Sequence, residues 1–343
     1  MKKILFLFLF IQAFSFAQEN VTFQKPPKSI LELVDFERAP NVIMNSKHDY
    51  ILYTYRDNYK TLEDLSQDEM KLGGLRINPT TNISSTITYL TNLKIQKFGT
   101  NEIKQVTGLP SNPKIANVNW SPDDSKISFT NTISSGVELW IIDVQSSSAK
   151  KLTEAKLNAN LGMPYTWMKD SKSLLVKFLP VNRKPLINTS KELPAGPTVS
   201  VSNGSKAQNR TYQDLLKNKM DEQNFETLIS SEIFAVTLDG STEKWKESAM
   251  WSGLYPSPDG NYIMAIAYQK PFSYIVQYNR FAYTTSILSK NGELVKEVNN
   301  VPLIETLPKG TMAVRTGKRD MYWRADKPAT IYYVEALDGG DPE

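Results

Sequence analysis

A short segment recurs along this chain, and the recurrence constrains its fold more than any other feature. Ile103 to Thr107, Trp120-Ser-Pro-Asp-Asp124 and Glu138 to Val144 make up one unit. Ala149 to Thr153 and Trp167-Met-Lys-Asp170 begin it again, offset by 46 residues between Thr107 and Thr153 and by 47 between the two tryptophans. That spacing is close to the ~40 to 45 residue period of four-stranded propeller blades. Pro256-Ser-Pro-Asp-Gly260 answers the Trp120 segment, and Glu232 to Leu238 answers the Glu138 strand. Trp323-Arg-Ala-Asp326 is a further copy, and Asn45 to Tyr50 is a degenerate one near the start.

The repeated residues have turn chemistry. In Ser121-Pro-Asp-Asp124 and Ser257-Pro-Asp-Gly260 the proline presets the first corner of a type I turn, and aspartate suits the next position. Apolar and polar residues alternate after each turn, as in Lys126 to Phe129 and Leu174 to Phe178, which is the pattern of half-buried antiparallel strands. Asp239-Gly240 and Asn291-Gly292 each follow a β-rich run and signal further hairpins.

The expected fold is therefore all-β: a β-propeller of four-stranded antiparallel blades, with about five blades present over residues 18–343. The last copy stops at Glu343, so the propeller is expected to be incomplete. One insertion, residues 183–228, interrupts it. Asn188 to Arg210 reads as a long Ser/Asn/Pro/Gly-rich surface loop, and Tyr212, Leu215 and Leu216 predict a short helix over Thr211 to Asn218.

Lys2 and Lys3 precede an apolar run from Ile4 to Ile11, followed by the small residues Ser15 and Ala17. This is the pattern of a signal peptide over residues 1–17 cleaved after Ala17, so the chain is expected to be exported to the periplasm or beyond. The run is too short for a bilayer span, and no later segment has the length to cross a membrane. With no cysteine, an exported chain of this kind relies on a hydrophobic core. A net charge of +4 with interspersed signs gives no reason to expect nucleic acid as a partner.

No Gly-x-Ser-x-Gly elbow occurs, and the one histidine, His48, lies beside a turn ahead of nearly every candidate serine. No catalytic residue is assigned, and no metal or cofactor is expected. Asp123, Asp170, Asp259 and Asp326 hold equivalent repeat positions and read as turn formers. Trp120, Trp167 and Trp323 recur at one repeat position and read as blade core. Arg280 and Arg324 are the candidate substrate-facing cations, because arginine is the usual partner of a carboxylate.

Several longer strings narrow the class. Pro256 to Tyr262, Pro271-Phe-Ser-Tyr274, Asn279-Arg-Phe281, Thr211 to Asn218, Trp323 to Thr330 and Val334 to Asp341 resemble the propeller domain of the glutamyl endopeptidase branch of the prolyl oligopeptidase family. The resemblance covers about residues 25 to 343. It implies a cap over an α/β-hydrolase domain, a domain absent from this sequence, with oligopeptides as substrate if the two are joined. The chain alone would then gate access and carry out no chemistry. The alternative is a stand-alone periplasmic propeller that binds or scaffolds other proteins, as the Tol-system propeller does. A remnant of a truncated gene would instead expose sheet edges and blade faces.

Overall fold

The computed structural model describes residues 25–188, 212–307 and 312–340. The leader expected over residues 1–17 lies outside the described residues, as does most of the loop expected over Asn188 to Arg210. Residues up to Arg38 form one compact unit, whose described part contains helix α1 (Lys28–Val34), with no buried residue.

From Ala39 onward the chain forms successive antiparallel sheets. The first contains β1 (Asn41–Met44), β2 (Tyr50–Tyr55) and, after a long connection, two more strands. That connection carries α2 (Leu62–Leu65) and a small sheet of β3 (Met70–Leu72), β4 (Leu75–Asn78) and β5 (Ile83–Ser84). β6 (Asn92–Lys97) and β7 (Ile103–Gln105) complete blade 1 in the order β1-β2-β6-β7. Blade 2 contains β8 (Ile115–Trp120), β9 (Lys126–Ile133), β10 (Gly136–Asp143) and β11 (Ser148–Lys151). Blade 3 has β12 (Tyr165–Trp167) and β13 (Ser173–Phe178), then α3 (Lys219–Ile229), then β14 (Ser231–Thr237).

The long strand β15 (Thr242–Pro256) serves two blades. Thr242 to Ala249 pair with β14, whereas Met250 to Pro256 pair with β16 (Tyr262–Tyr268). The last strand of blade 3 thus runs directly into the first of blade 4, which β17 (Tyr283–Ser289) and β18 (Leu294–Val301) complete. A two-stranded hairpin, β19 (Arg319–Trp323) and β20 (Ile331–Val334), forms the described part of blade 5. The repeat copies correspond one to one with these five blades. The hairpins at Asp239-Gly240 and Asn291-Gly292 are also where the sequence put them.

Alternation along the strands builds the cores between blades. Leu174 and Val176 of β13 enter the core shared with blade 2, whereas Leu175 enters the one shared with blade 4. Ile127 and Phe129 of β9 pack against Leu52, Leu93 and Ile95 of blade 1. Each fully buried side chain of this size contributes about 1.5 to 3 kcal/mol. The middle strands are not half-buried, as the alternation suggested: in β9 every residue from Ile127 to Thr132 is buried. A blade lies against both faces, so the polar positions are covered too and must find partners. Ser128 Oγ donates to Asn119 O (3.1 Å), and Thr130 Oγ1 to Ala116 O (3.0 Å).

The tryptophans at the repeat position link blades. Trp167 is buried, and its Nε1 donates to Ser128 Oγ of blade 2 (2.7 Å). Trp323 Nε1 donates to Tyr255 O of blade 4 (2.8 Å). Trp120 packs on the core between blades 1 and 2. Glu138 and Glu232 also repeat a contact, facing Lys151 at 3.7 Å and Lys244 at 3.1 Å on the next strand of their blades.

The helix in the blade 3 insertion begins later than expected. Residues 212–218 are not helical, because Asp214 takes a left-handed conformation (φ 59°) that a helix cannot continue through. Asn218 then caps α3, its side chain accepting from the Asp221 amide. Phe225, Leu228 and Ile229, at helical spacing, supply the buried face.

Candidate functional site

With strands A to D named in chain order within each blade, antiparallel pairing puts the A–B turns at one end of the array. The B–C connections and the links between blades lie at the other. At the first end the turns share one geometry. The amide of the first turn residue donates to the carbonyl five residues on: Asn45 to Tyr50, Ser121 to Lys126, Met168 to Ser173 and Ser257 to Tyr262, at 2.8 to 3.2 Å. The fourth residue is left-handed in all four turns: His48 (φ 57°), Asp124 (65°), Ser171 (57°) and Gly260 (73°). His48 is exposed and holds the position that glycine holds in blade 4, which is a turn role.

Each turn also contacts the next. Ser46 Oγ and the Lys47 amide donate to Asp124 Oδ2 at 2.6 and 3.1 Å. The Asp123 amide donates to Ser171 Oγ (3.0 Å), and the Asp259 amide to Pro328 O (3.0 Å). A Cβ at Gly260 would come within 3.0 Å of Lys169 Cβ. The carboxylates serve their own turns: Asp123 Oδ1 accepts from Ser121 Oγ and the Ser125 amide, and Asp259 Oδ1 from Ser257 Oγ and the Asn261 amide. Burial opposes the charge on Asp123, but hydrogen bonds from Ser121, Ser125 and Ser171 outweigh it and hold the carboxyl at about 2. Among the described residues no group of three or more His, Cys, Asp or Glu is placed to hold a metal ion.

The opposite end carries a second layer. The B–C connections of blades 1, 3 and 4 meet in one apolar cluster containing Leu72 and Ile77, then Phe225 and Leu228, then Phe272 and Phe281. Phe225 sits edge-on to Phe272 (5.2 Å) and to Phe281 (5.6 Å). Backbone bonds join the three pieces: Gly74 N to Asp214 O (2.8 Å) and Tyr278 N to Gly73 O (2.7 Å). Arg76 Nε pairs with Asp214 Oδ2 at 2.7 Å. Gly73 and Gly74 are both left-handed, and Cβ atoms there would crowd Phe225 at 3.1 Å and Gln277 at 2.8 Å. Only glycine allows this approach without strain. Blades 1 and 4, with two blades between them in the array, are thus tied together by a cap.

Beneath this layer Lys177 is fully buried, its Nζ donating to Leu161 O (2.7 Å) and to Ser252 O of blade 4 (2.8 Å). Burial depresses its ammonium to about 7.

Arg280 and Arg324 are not brought together. Arg280 lies in the B–C connection of blade 4, its guanidinium 5.5 Å from the Tyr212 ring centroid. Arg324 lies at the other end, in the A–B turn of blade 5, and pairs through two bonds with Asp326. Three other cations, Arg315, Lys318 and Arg319, share a cleft of about 290 Å³ between blades 4 and 5. Tyr255, Tyr268, Tyr283 and Tyr322 also line it, and Asp320 is its one acid. Arg315 Nη2 donates to Tyr283 OH (3.0 Å), whereas Arg319 Nε is buried without a hydrogen bond. Burial pushes the Tyr268 hydroxyl up, and Tyr278 and Tyr283 nearby add to the effect.

Sequence reasoning missed both the cap and this cleft. The Gly73-Gly74 pair and the Asn218-x-x-Asp221 helix start were readable signals for the cap. Arg315 to Arg319 is a short basic run of the kind that usually reads as a solvated surface.

No family model matches the chain. It is 35% identical over 338 residues to a protein of Oryza sativa subsp. japonica named "Probable glutamyl endopeptidase, chloroplastic", covering 93% of this chain and 35% of the relative. An Arabidopsis thaliana protein of the same name is 33% identical over 337 residues, 93% of this chain and 34% of its own. The chain thus spans about a third of the length of these relatives. A solved acylaminoacyl peptidase from Pyrococcus horikoshii aligns over 78% of this chain and 33% of its own, with 14% identity and a TM-score of 0.42. Over 93% of its length the chain is thus a homologue of plant proteins named as probable glutamyl endopeptidases, and its successive antiparallel sheets make it a β-propeller segment.

Proposed function

We propose that this chain is the substrate-gating propeller of an exported serine peptidase that hydrolyses oligopeptides, with the catalytic groups carried by polypeptide outside residues 1–343. The similarity to plant proteins named as glutamyl endopeptidases supports the peptidase role, and the missing Gly-x-Ser-x-Gly elbow supports a segment without chemistry of its own. The charged start and apolar run of the leader support export.

The observation that carries gating is the cap. Its three connections share a core and are bonded to one another, so the B–C end of the array is closed to a folded protein, and substrates are admitted by size. The blade 4–blade 5 cleft, with three cations against one acid, suits a substrate carboxylate, because arginine holds carboxylates through paired donors.

Size selection tests this reading. The protein purified from its own cells is expected to cleave unfolded peptides and spare folded proteins of the same sequence content. Equal cleavage of both would contradict it.

A further inference from the structure

A second cleft lies at the capped end and takes no part in the reading above. Two adjoining cavities of about 350 and 400 Å³ share Lys60, Glu63, Asp64, Tyr89, Asn112 and Lys114. Their walls come from the blade 1 insertion, from the link into blade 2, and from the β9–β10 hairpin.

Acids and cations are mixed along this cleft. Lys114 Nζ lies 2.9 Å from Asp64 and 3.5 Å from Glu63, and Lys60 Nζ donates to Ser85 O (2.9 Å). The Asp57 carboxylate, on the wall of the second cavity, is exposed. An anion entering the cleft would meet Asp57 and Glu63, and a cation would meet Lys60 and Lys114, so a ligand of either sign is opposed by part of the wall. Between the charges stand uncharged donors and acceptors, the exposed side chains of Gln67, Ser111, Asn112 and Ser134.

The two aromatic residues differ in what they leave free. Tyr89 is partly buried, with its ring near the Lys114 ammonium (5.9 Å) and its phenol bonded to Thr132. Tyr59 is 69% exposed, and its largely uncovered ring stands at the wall of the same cavity as Asp57 and Asn112.

A hydroxyl both donates and accepts, so a ligand dense in hydroxyls can use carboxylate, ammonium and amide groups side by side. The C–H face of a sugar ring also lies flat on an open aromatic ring. A peptide main chain is a poorer match, because it offers a carboxylate only amide hydrogens, one per residue and about 3.3 Å apart. Adjacent hydroxyls of one sugar can donate to both oxygens of the same carboxylate. We infer that this cleft binds a neutral oligosaccharide, with the Tyr59 ring under one sugar face and with Asp57 and Asn112 holding its hydroxyls.

The test is a calorimetric titration of the native protein, purified from its own cells, with maltohexaose, cellohexaose, xylohexaose, mannohexaose and chitohexaose in turn. Saturable binding of at least one is expected, unchanged between about 50 and 500 mM salt because the ligand carries no charge. Tyr59→Ala and Asp57→Ala, made in the gene, should each weaken it roughly tenfold, the value of one aromatic contact or one hydrogen bond to a charged group. Asn112→Trp fills the cleft and should abolish binding. All three positions are exposed, so the thermal midpoint should not move. No binding of any of these sugars at about 10 mM, weaker than any specific site of this size, would overturn the inference. So would binding that survives Asn112→Trp or is indifferent to Tyr59→Ala or Asp57→Ala, or displacement of the sugar by hexalysine, hexaglutamate or a Gly/Ser/Leu dodecapeptide.

Discussion

The amide of Tyr278 donates to the carbonyl of Gly73 at 2.7 Å, so a loop of blade 4 is bonded directly to a loop of blade 1. The contact depends on the two glycines and on the Phe225 ring packed against them. Phe225→Ala should cost about 3 to 5 kcal/mol, the range for emptying a buried aromatic site. Hydrogen exchange at Gly74 and Tyr278 should accelerate more than exchange in β9. Unchanged protection at those amides would show that the cap does not depend on this core.

The turn ring makes a separate prediction. Asp124 accepts from Ser46 and Lys47 of the neighbouring blade while holding a left-handed backbone. Asp124→Ala loses the acceptor and strains the backbone, at about 1 to 3 kcal/mol by denaturant melting. Asp124→Asn keeps an acceptor and tolerates the conformation, so it should recover most of that loss. Equal loss in both variants would put the effect in the charge alone.

Lys177 gives the protein a pH dependence. Its folded value is about 7 against an ordinary 10.5, so between these limits the unfolded chain binds a proton that the folded chain has released. Raising pH through that window therefore stabilises the fold, by at most about 5 kcal/mol. Lys177→Met should remove the slope between about pH 7 and 9.5, measured as the urea midpoint against pH. A slope that survives the substitution would assign it to other groups.

Asp123 adds a limb of the same sign at acid pH. Asp123 is held at about 2, below an ordinary 3.8, by its turn hydrogen bonds, so its contribution is present above about pH 4 and fades as pH falls towards 2. Asp123→Asn should flatten this limb of the melting profile; an unchanged limb would mean that the turn carboxylate is not linked to folding.

Much of the fold was legible because turn chemistry is local. The side chains of Ser121, Asp123, Ser257 and Asp259 bond within a few residues, so the blade starts could be counted from sequence. What alternation could not show is that strands such as β9 are covered on both faces, because the second face is supplied by another blade. The candidate site was less legible for the same reason. Gly73, Phe225 and Phe281 meet only through long-range packing, and Arg315 and Arg319 acquire a shared cleft only when blade 5 stands beside blade 4. Arg280 and Arg324 were chosen by residue type, and the fold puts them at opposite ends of the strands.

The most direct test of the account is to label the native protein from its own cells with a fluorophosphonate probe and map the modified serine by mass spectrometry. The account expects the label on a serine outside residues 1–343, in a polypeptide that contains this propeller. A labelled serine within residues 1–343, or no label on any polypeptide that contains them, would contradict it.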